Sequence, residues 1–198
     1  RDMDFDVIDL NFACPVKKVV SRKRGGHMMA DPEGTLEVVR AVRDAVPNRP
    51  LMIKLRKSFA AADAGCEAFW AIARGAFEAG VDAICVHART VEQMYRGEAD
   101  WGFIRAVKAV FPSRTIIGSG DVRTPADALR MFAETGVDGV AAARGAIGNP
   151  WFFRQARALA EGRLPEAPTL GEQRAVMERH YALAVDTYGD RKAAFVMR

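Results

Sequence analysis

Short runs rich in β-branched residues alternate with longer segments of helical period up to about residue 150. That alternation is the pattern of βα units, which pack helices against a parallel sheet. The strand-like runs fall at residues 7–10, 51–55, 83–87, 114–118 and 139–142. Helix punctuation lies between them. Asp31 precedes Pro32, and Thr124 precedes Pro125 with Asp127 close behind, so each time a capping side chain stands before a proline suited to the first helical position. Gly80 and Gly136 stand where a left-handed residue closes a helix. Both belong to an internal echo: Ala79-Gly80-Val81-Asp82-Ala83-Ile84 is answered two units later by Thr135-Gly136-Val137-Asp138-Gly139-Val140.

A series of this kind either closes into a barrel or winds into an open sheet. No GxGxxG follows any of the five strands, so a dinucleotide-binding open sheet has no support. The expected fold is α/β: a (β/α)8 TIM barrel, incomplete here with about five βα units. A whole barrel takes roughly 250 residues, so three strands are expected to be missing on the N-terminal side. The chain opens at Arg1 and enters a strand pattern almost at once, which predicts a piece of a longer protein. After Trp151 the alternation stops, and Val176, Tyr181, Ala184 and Val185 sit at helical spacing within 171–188. The expected organisation is a partial barrel over residues 1–155, then a linker and the start of an all-helical domain over 156–198.

Composition excludes several classes. With 49% hydrophobic and 27% charged residues the chain is globular in type rather than disordered or fibrous. No stretch approaches the ~18 apolar residues of a membrane span, so no membrane partner is expected. No basic-then-apolar leader is present, which predicts the cytoplasm. Three cysteines, without CxxC or zinc spacing, predict reduced thiols and no metal. The net charge of +4 is modest, but Lys17, Lys18, Arg22, Lys23 and Arg24 crowd one short segment. On charge alone that segment reads first as a solvated loop, with a contact for a polyanion as the alternative.

In a βα barrel the C-terminal strand ends converge on one mouth. Here they carry Asn11 to Cys14, Lys54 and Arg56, His87 and Arg89, Ser119 to Asp121, and Arg144, so every end is polar or ionisable. Each also has a bland reading. Cys14 can be an inert buried thiol, Lys54 a solvated strand-end lysine, and His87 a capped strand-end histidine. Cys66 and Cys85 read as packing, and His27 and His180 have no comparable setting.

The order of these residues resembles the bacterial tRNA-dihydrouridine synthase family. Asp9-Leu10-Asn11-Phe12-Ala13-Cys14-Pro15 with Lys17-Lys18-Val19 is similar to that family's Asn-x-x-Cys-Pro-x-Lys-Lys-Val segment, and Lys54-Leu55-Arg56 to its Lys-x-Arg strand end. His87-Ala88-Arg89-Thr90 with Tyr95, Gly97 and Ala99-Asp100-Trp101 resembles its His-x-Arg-Thr loop. Gly118-Ser119-Gly120-Asp121 lies where the family has Asn-Gly-Asp, and Arg144-Gly145-Ala146 with Gly148-Asn149-Pro150-Trp151 resembles its last strand loop. The resemblance implies an FMN enzyme that takes NADPH as reductant and reduces the C5–C6 bond of uridines in tRNA, with Cys14 as the general acid at C5. It implies flavin contacts from Lys54 and His87, and a phosphate cradle from Gly118, Ser119, Gly120, Asp121, Ala143 and Arg144. It further implies tRNA contacts from Asn11, Lys17, Lys18, Arg56, Arg89 and Tyr95.

The sequence departs from that pattern at Ala13, Ser119 and Ala143, where glycine, asparagine and glycine are usual. Two other classes fit part of it: a different FMN barrel acting on a small molecule, and a non-catalytic RNA-binding fragment.

Overall fold

The computed structural model describes residues 5–63 and 65–197. In chain order it runs β1 (Ile8–Asn11), α1 (Lys17–Val20), a 3₁₀ segment (Gly25–Ala30), α2 (Pro32–Ala45), β2 (Leu51–Arg56), α3 (Glu67–Glu78) and β3 (Ala83–His87). It continues through α4 (Trp101–Val110), β4 (Thr115–Ser119), α5 (Pro125–Thr135), β5 (Gly139–Ala141) and a 3₁₀ turn (Arg144–Ala146). The strands form one parallel sheet in the order β1-β2-β3-β4-β5. Strand order equal to chain order, with no reversal, is the winding of a barrel arc and not of a doubly wound sheet. The sheet is α/β and does not close on itself, as an incomplete barrel requires.

Helices of 10 to 14 residues are marginal alone, and these are held by their buried faces. In α3 the sequence places Phe69, Ile72, Ala73, Ala76 and Phe77 on one stripe, and all are buried. They share a core with Leu51, Ile53 and Leu55 of β2 and with Ile84 and Val86 of β3. The rings of Phe69 and Phe103, 4.9 Å apart and edge to face, join α3 to α4. Caps fall where the sequence signals them. The Asp31 carboxylate accepts from Gly34 N–H at 3.1 Å, Thr124 and Asp127 form a reciprocal capping box, and Gly80 and Gly136 take positive φ.

The echo has a physical cause. Asp82 Oδ2 accepts from the Leu51 N–H at 2.8 Å and from Arg43 Nη2 at 2.9 Å. Asp138 Oδ2 accepts in the same way from the Ile116 N–H at 2.8 Å and from Lys108 Nζ at 2.7 Å. One carboxylate thus ties the start of a strand to its neighbour and to a helix cation, twice. The Ile116 N–H and then Lys108 hold the Asp138 carboxyl below its usual value of 3.8. A depressed folded value means that the contribution is complete above 3.8 and is lost as pH falls through that lower value. Asp138→Ala is therefore expected to cost about 1–2 kcal/mol at neutral pH, with the mutant and parent urea midpoints converging in acid.

The chain divides into two units, Arg1–Phe152 and Phe153–Arg198. The second carries most of α6 (Phe152–Ala160), then α7 (Leu170–Tyr188) and α8 (Asp190–Val196). Thr169 and Glu172 form the capping box that starts α7, and the Arg154 guanidinium at 2.7 Å pushes the Glu172 carboxyl down to about 2. Among the described residues no helix is long and apolar enough to cross a membrane.

One sequence expectation needs correction here. The basic segment is a loop only in part: Lys17 and Lys18 lie in the single turn of α1, Arg22 and Lys23 in the turn after it and Arg24 in the link to the 3₁₀ segment, and all five are exposed. The cause is tertiary. Gly25 and Gly26 press so closely on the Cys14 backbone and on Val91 that the chain between them must coil.

Candidate functional site

Strand register sets two rows across the concave face of the sheet. Asn11, Lys54, Cys85, Ile117 and Gly139 are successive partners in one row; Arg56, His87, Ser119 and Ala141 are partners in the next. Residues of a row share a face because strand side chains alternate. Of these, Asn11, Lys54, Arg56, His87, Ser119 and Ala141, together with the loops above them, line a cleft of about 250 Å³ at the C-terminal strand ends.

The β1 end is held tightly. Asn11 Oδ1 accepts from the Ala13 N–H at 3.0 Å, Arg56 Nε donates to the Ala13 carbonyl at 2.8 Å, and the Gly26 N–H donates to the Cys14 carbonyl at 2.8 Å. Cys14 is half-buried and faces the cleft, unlike the buried Cys66 and Cys85. On β2, Lys54 Nζ lies 3.1 Å from Cys85 Sγ and 3.4 Å from Ser119 Oγ. Those contacts engage two of the three ammonium donors. Burial pushes the Cys85 thiol up, and burial likewise raises Asp9 against the opposing pull of Lys54.

His87 has the most altered proton affinity in the cleft. Burial, and then the charges of Arg56, Lys54 and Arg89, pull its imidazole down to about 3, so the ring is neutral at neutral pH. Its Nε2 is buried and has no hydrogen-bond partner among the described residues. A buried polar atom of this kind calls for a partner that the protein itself does not supply.

The β4 loop turns sharply. Gly120 has φ +117, and a Cβ there would meet Ala99 at 2.7 Å. Asp121, not a glycine, also lies in the left-handed region at φ +54. It is held there by Arg89 Nη2, 2.8 and 2.7 Å from its two carboxylate oxygens, and by the Ala99 N–H at 2.7 Å. Burial works against its charge, but these donors and Arg123 hold the carboxyl below the usual range. Gly145 brings the β5 loop onto the backbone of Val122 and Arg123, where any Cβ would collide. Arg144 then lies 3.8 Å from Asp121 and stacks over the Tyr95 ring at 4.8 Å. Four cations, Lys54, Arg56, Arg123 and Arg144, line the cleft against one carboxylate, Asp121, so an anionic group is favoured there.

Most of the residues expected from the sequence meet here: Asn11, Cys14, Lys54, Arg56, His87, Tyr95, Ser119, Gly120, Asp121, Ala143 and Arg144 all border the cleft. Four do not. Gly118 alternates to the far face, where a Cβ would strike Met131 of α5. Lys17 and Lys18 are exposed on α1, apart from the cleft lining. Arg89 was expected to meet RNA, yet it is fully buried at 0% exposure, and it donates to Asp121 and to the carbonyls of Arg96 and Gly97. A guanidinium with a carboxylate and loop carbonyls in reach can be buried, and here it is. Arg56 is only 2% exposed and Asn11 has its carbonyl oxygen occupied, which narrows what either can offer a substrate.

Sequence reasoning missed Arg123 and the Cys85 contact to Lys54. Both had signals. Arg123 follows Asp121 by two residues in the same strand-end loop, and the alternation that turns Lys54 inward turns Cys85 inward as well. Among the described residues no group of three His, Cys, Asp or Glu side chains is arranged to hold a metal ion.

The fold and cleft define a class: parallel βα proteins of the barrel type with a cationic site at the C-terminal strand ends. The chain belongs to the dihydrouridine synthase family, whose model, "Dihydrouridine synthase (Dus)", matches residues 1–198. Two relatives carry the description "Probable tRNA-dihydrouridine synthase". That of Rickettsia conorii is 36% identical over 95% of this chain and 56% of its own length. That of Mycobacterium leprae is 36% identical over 94% of this chain and 49% of its own. The chain thus spans about half the length of the curated relatives it matches. Among solved structures, a DHODH from Eimeria tenella in complex with ferulenol aligns with a TM-score of 0.44 and 17% identity, over 80% of this chain and 51% of that one.

Proposed function

We propose that the protein containing this chain is a cytoplasmic tRNA-dihydrouridine synthase that uses FMN and NADPH to reduce the C5–C6 bond of tRNA uridines. Family membership and the relatives' descriptions support the substrate class. One observation carries the chemistry: Cys14, Lys54, His87, Ser119 and Arg144, from five different strand ends, border a single cleft.

The residues present fit FMN. The unpartnered His87 Nε2 and the remaining Lys54 donor suit the polar edge of a flat heterocycle. Ser119, Gly120, Ala143 and Arg144 suit its phosphate, with Arg123 as a further counter-ion. When bound and reduced by NADPH, FMN would supply hydride to C6 of the uracil ring. Cys14 would then give its thiol proton to C5: the S–H bond breaks, a C5–H bond forms, and a thiolate remains for reprotonation. Asn11, through its amide NH₂, and Tyr95, through its exposed ring, would orient the base. The exposed cations Lys17, Lys18, Arg22, Lys23 and Arg24 on and after α1 would meet tRNA phosphates.

The reading is tested in cells that lack the parent gene. Their tRNA is expected to lose dihydrouridine at one or more positions and to regain it when the gene is restored. Unchanged dihydrouridine across all positions would remove the assignment.

A further inference from the structure

We infer that Arg56 is a positioning residue for the Cys14 thiol, acting through the Ala13 carbonyl, rather than a contact to RNA. The inference rests on Cys14 being the proton donor.

Arg56 ends β2, and its planar head spans two loops. Nε donates to the Ala13 carbonyl, while Nη1 donates to the carbonyls of Thr90 and Met94, each at 2.8 Å. Ala13 immediately precedes Cys14, and Met94 immediately precedes Tyr95, whose ring lies 5.8 Å from the same guanidinium. One rigid group therefore ties the backbone beside the proposed acid to the loop that carries the aromatic ring.

The backbone around Cys14 is pinned on both sides. The Ala13 N–H is held by Asn11, the Ala13 carbonyl by Arg56, and the Cys14 carbonyl by Gly26. With those three groups bonded, the Cys14 sulfur keeps rotation about its own side chain and little else. A proton donor has to sit within about 0.5 Å of its working place, and a locked backbone is how a loop residue achieves that.

The choice of residue is informative. All three recorded acceptors are neutral carbonyls, and burial pulls the Arg56 guanidinium down to about 10. An apolar side chain of similar volume would fill the space without the cost of burying a charge. The guanidinium carries its donors on separate atoms of a rigid plane, so Nε and Nη1 reach carbonyls of two loops at once, whereas a lysine ammonium offers all its donors from one atom on a flexible stem.

The test uses thiol alkylation of the full-length parent, which needs neither tRNA nor a working redox cycle. Iodoacetamide labelling is followed by peptide mapping, with Cys66 and Cys85, 2% and 4% exposed, as protected references in the same molecule. Arg56→Met is expected to speed labelling of Cys14 about tenfold, the effect of releasing a backbone hydrogen bond, with both references still protected. Arg56→Lys, the milder change, is expected to fall between the two. In turnover, kcat for uridine reduction should drop while KM for tRNA stays near the parent value. An unchanged Cys14 rate overturns the inference, as does a raised KM at constant kcat. A parallel rise at all three thiols in both variants makes Arg56 a general support of the fold and also overturns it. Should Cys14→Ala retain dihydrouridine formation, the acid assignment falls while the labelling result stands by itself.

Discussion

Replacing Cys14 with alanine is expected to reduce dihydrouridine formation by the full-length protein at least about a hundredfold, the usual contribution of a positioned general acid. NADPH-driven reduction of the bound flavin should survive nearly unchanged. The separation follows from the division of labour at the cleft. Lys54, His87, Ser119 and Arg144 suit the flavin, and none of them is bonded to the Cys14 side chain in the contacts the structure records. Removing the thiol takes away one proton and leaves the cationic lining in place. Cys14→Ser should rescue little, because an aliphatic hydroxyl is a far weaker acid than a thiol. The measurement pairs the dihydrouridine yield by mass spectrometry with stopped-flow bleaching of the flavin. Full yield from Cys14→Ala, or joint loss of both half-reactions, would refute the role.

The strands were legible because β-branched runs bounded by caps leave few alternatives, and the expected 83–87 strand is the observed β3. Their ends were less so. The last residues of β1, β2 and β4, Asn11, Arg56 and Ser119, join their strands because each finds a register partner, Lys54 or His87, on a neighbour. Polar residues with weak strand preference are recruited by pairing that no local pattern announces. The coil of the basic segment was hidden for a similar reason, since it answers to Gly25 and Gly26 packing on Cys14 and Val91.

Membership of the cleft was readable from one rule, that strand ends of a βα barrel converge. Burial of charge was not. Arg56 finds its acceptors 43, 34 and 38 residues away, and Arg89 finds Asp121 at a distance of 32. An arginine in a strand-end loop looks like a surface cation until those partners are in place. Both were therefore expected to meet the substrate; Arg89 is buried against Asp121 away from the cleft lining, while Arg56 borders the cleft and also bonds three loop carbonyls.

The second large effect concerns the pair of Arg89 and Asp121. Arg89→Met is expected to destabilise the full-length protein by about 3–5 kcal/mol, the range for breaking a buried ion pair by removing one partner. Methionine keeps much of the volume, so the loss reports charge and hydrogen bonding more than a cavity. What is left behind is a largely buried Asp121 carboxylate at positive φ, served by the Ala99 N–H, with Arg123 at 3.7 Å and Arg144 at 3.8 Å as distant cations. Those cations place the expected value toward the lower end. Adding Asp121→Asn should recover part of the loss, so the double variant falls short of the two single losses added together, the mark of a direct pair. The pH dependence gives an independent check. Asp121 is depressed below 3.8 in the fold, so its contribution is complete above that value and fades as pH drops through the lower one. In Arg89→Met that acid-side fading should shrink. Urea midpoints measured from neutral pH into acid decide the matter, and a loss below about 1 kcal/mol, or strict additivity with Asp121→Asn, would show that the pair does not hold the loop.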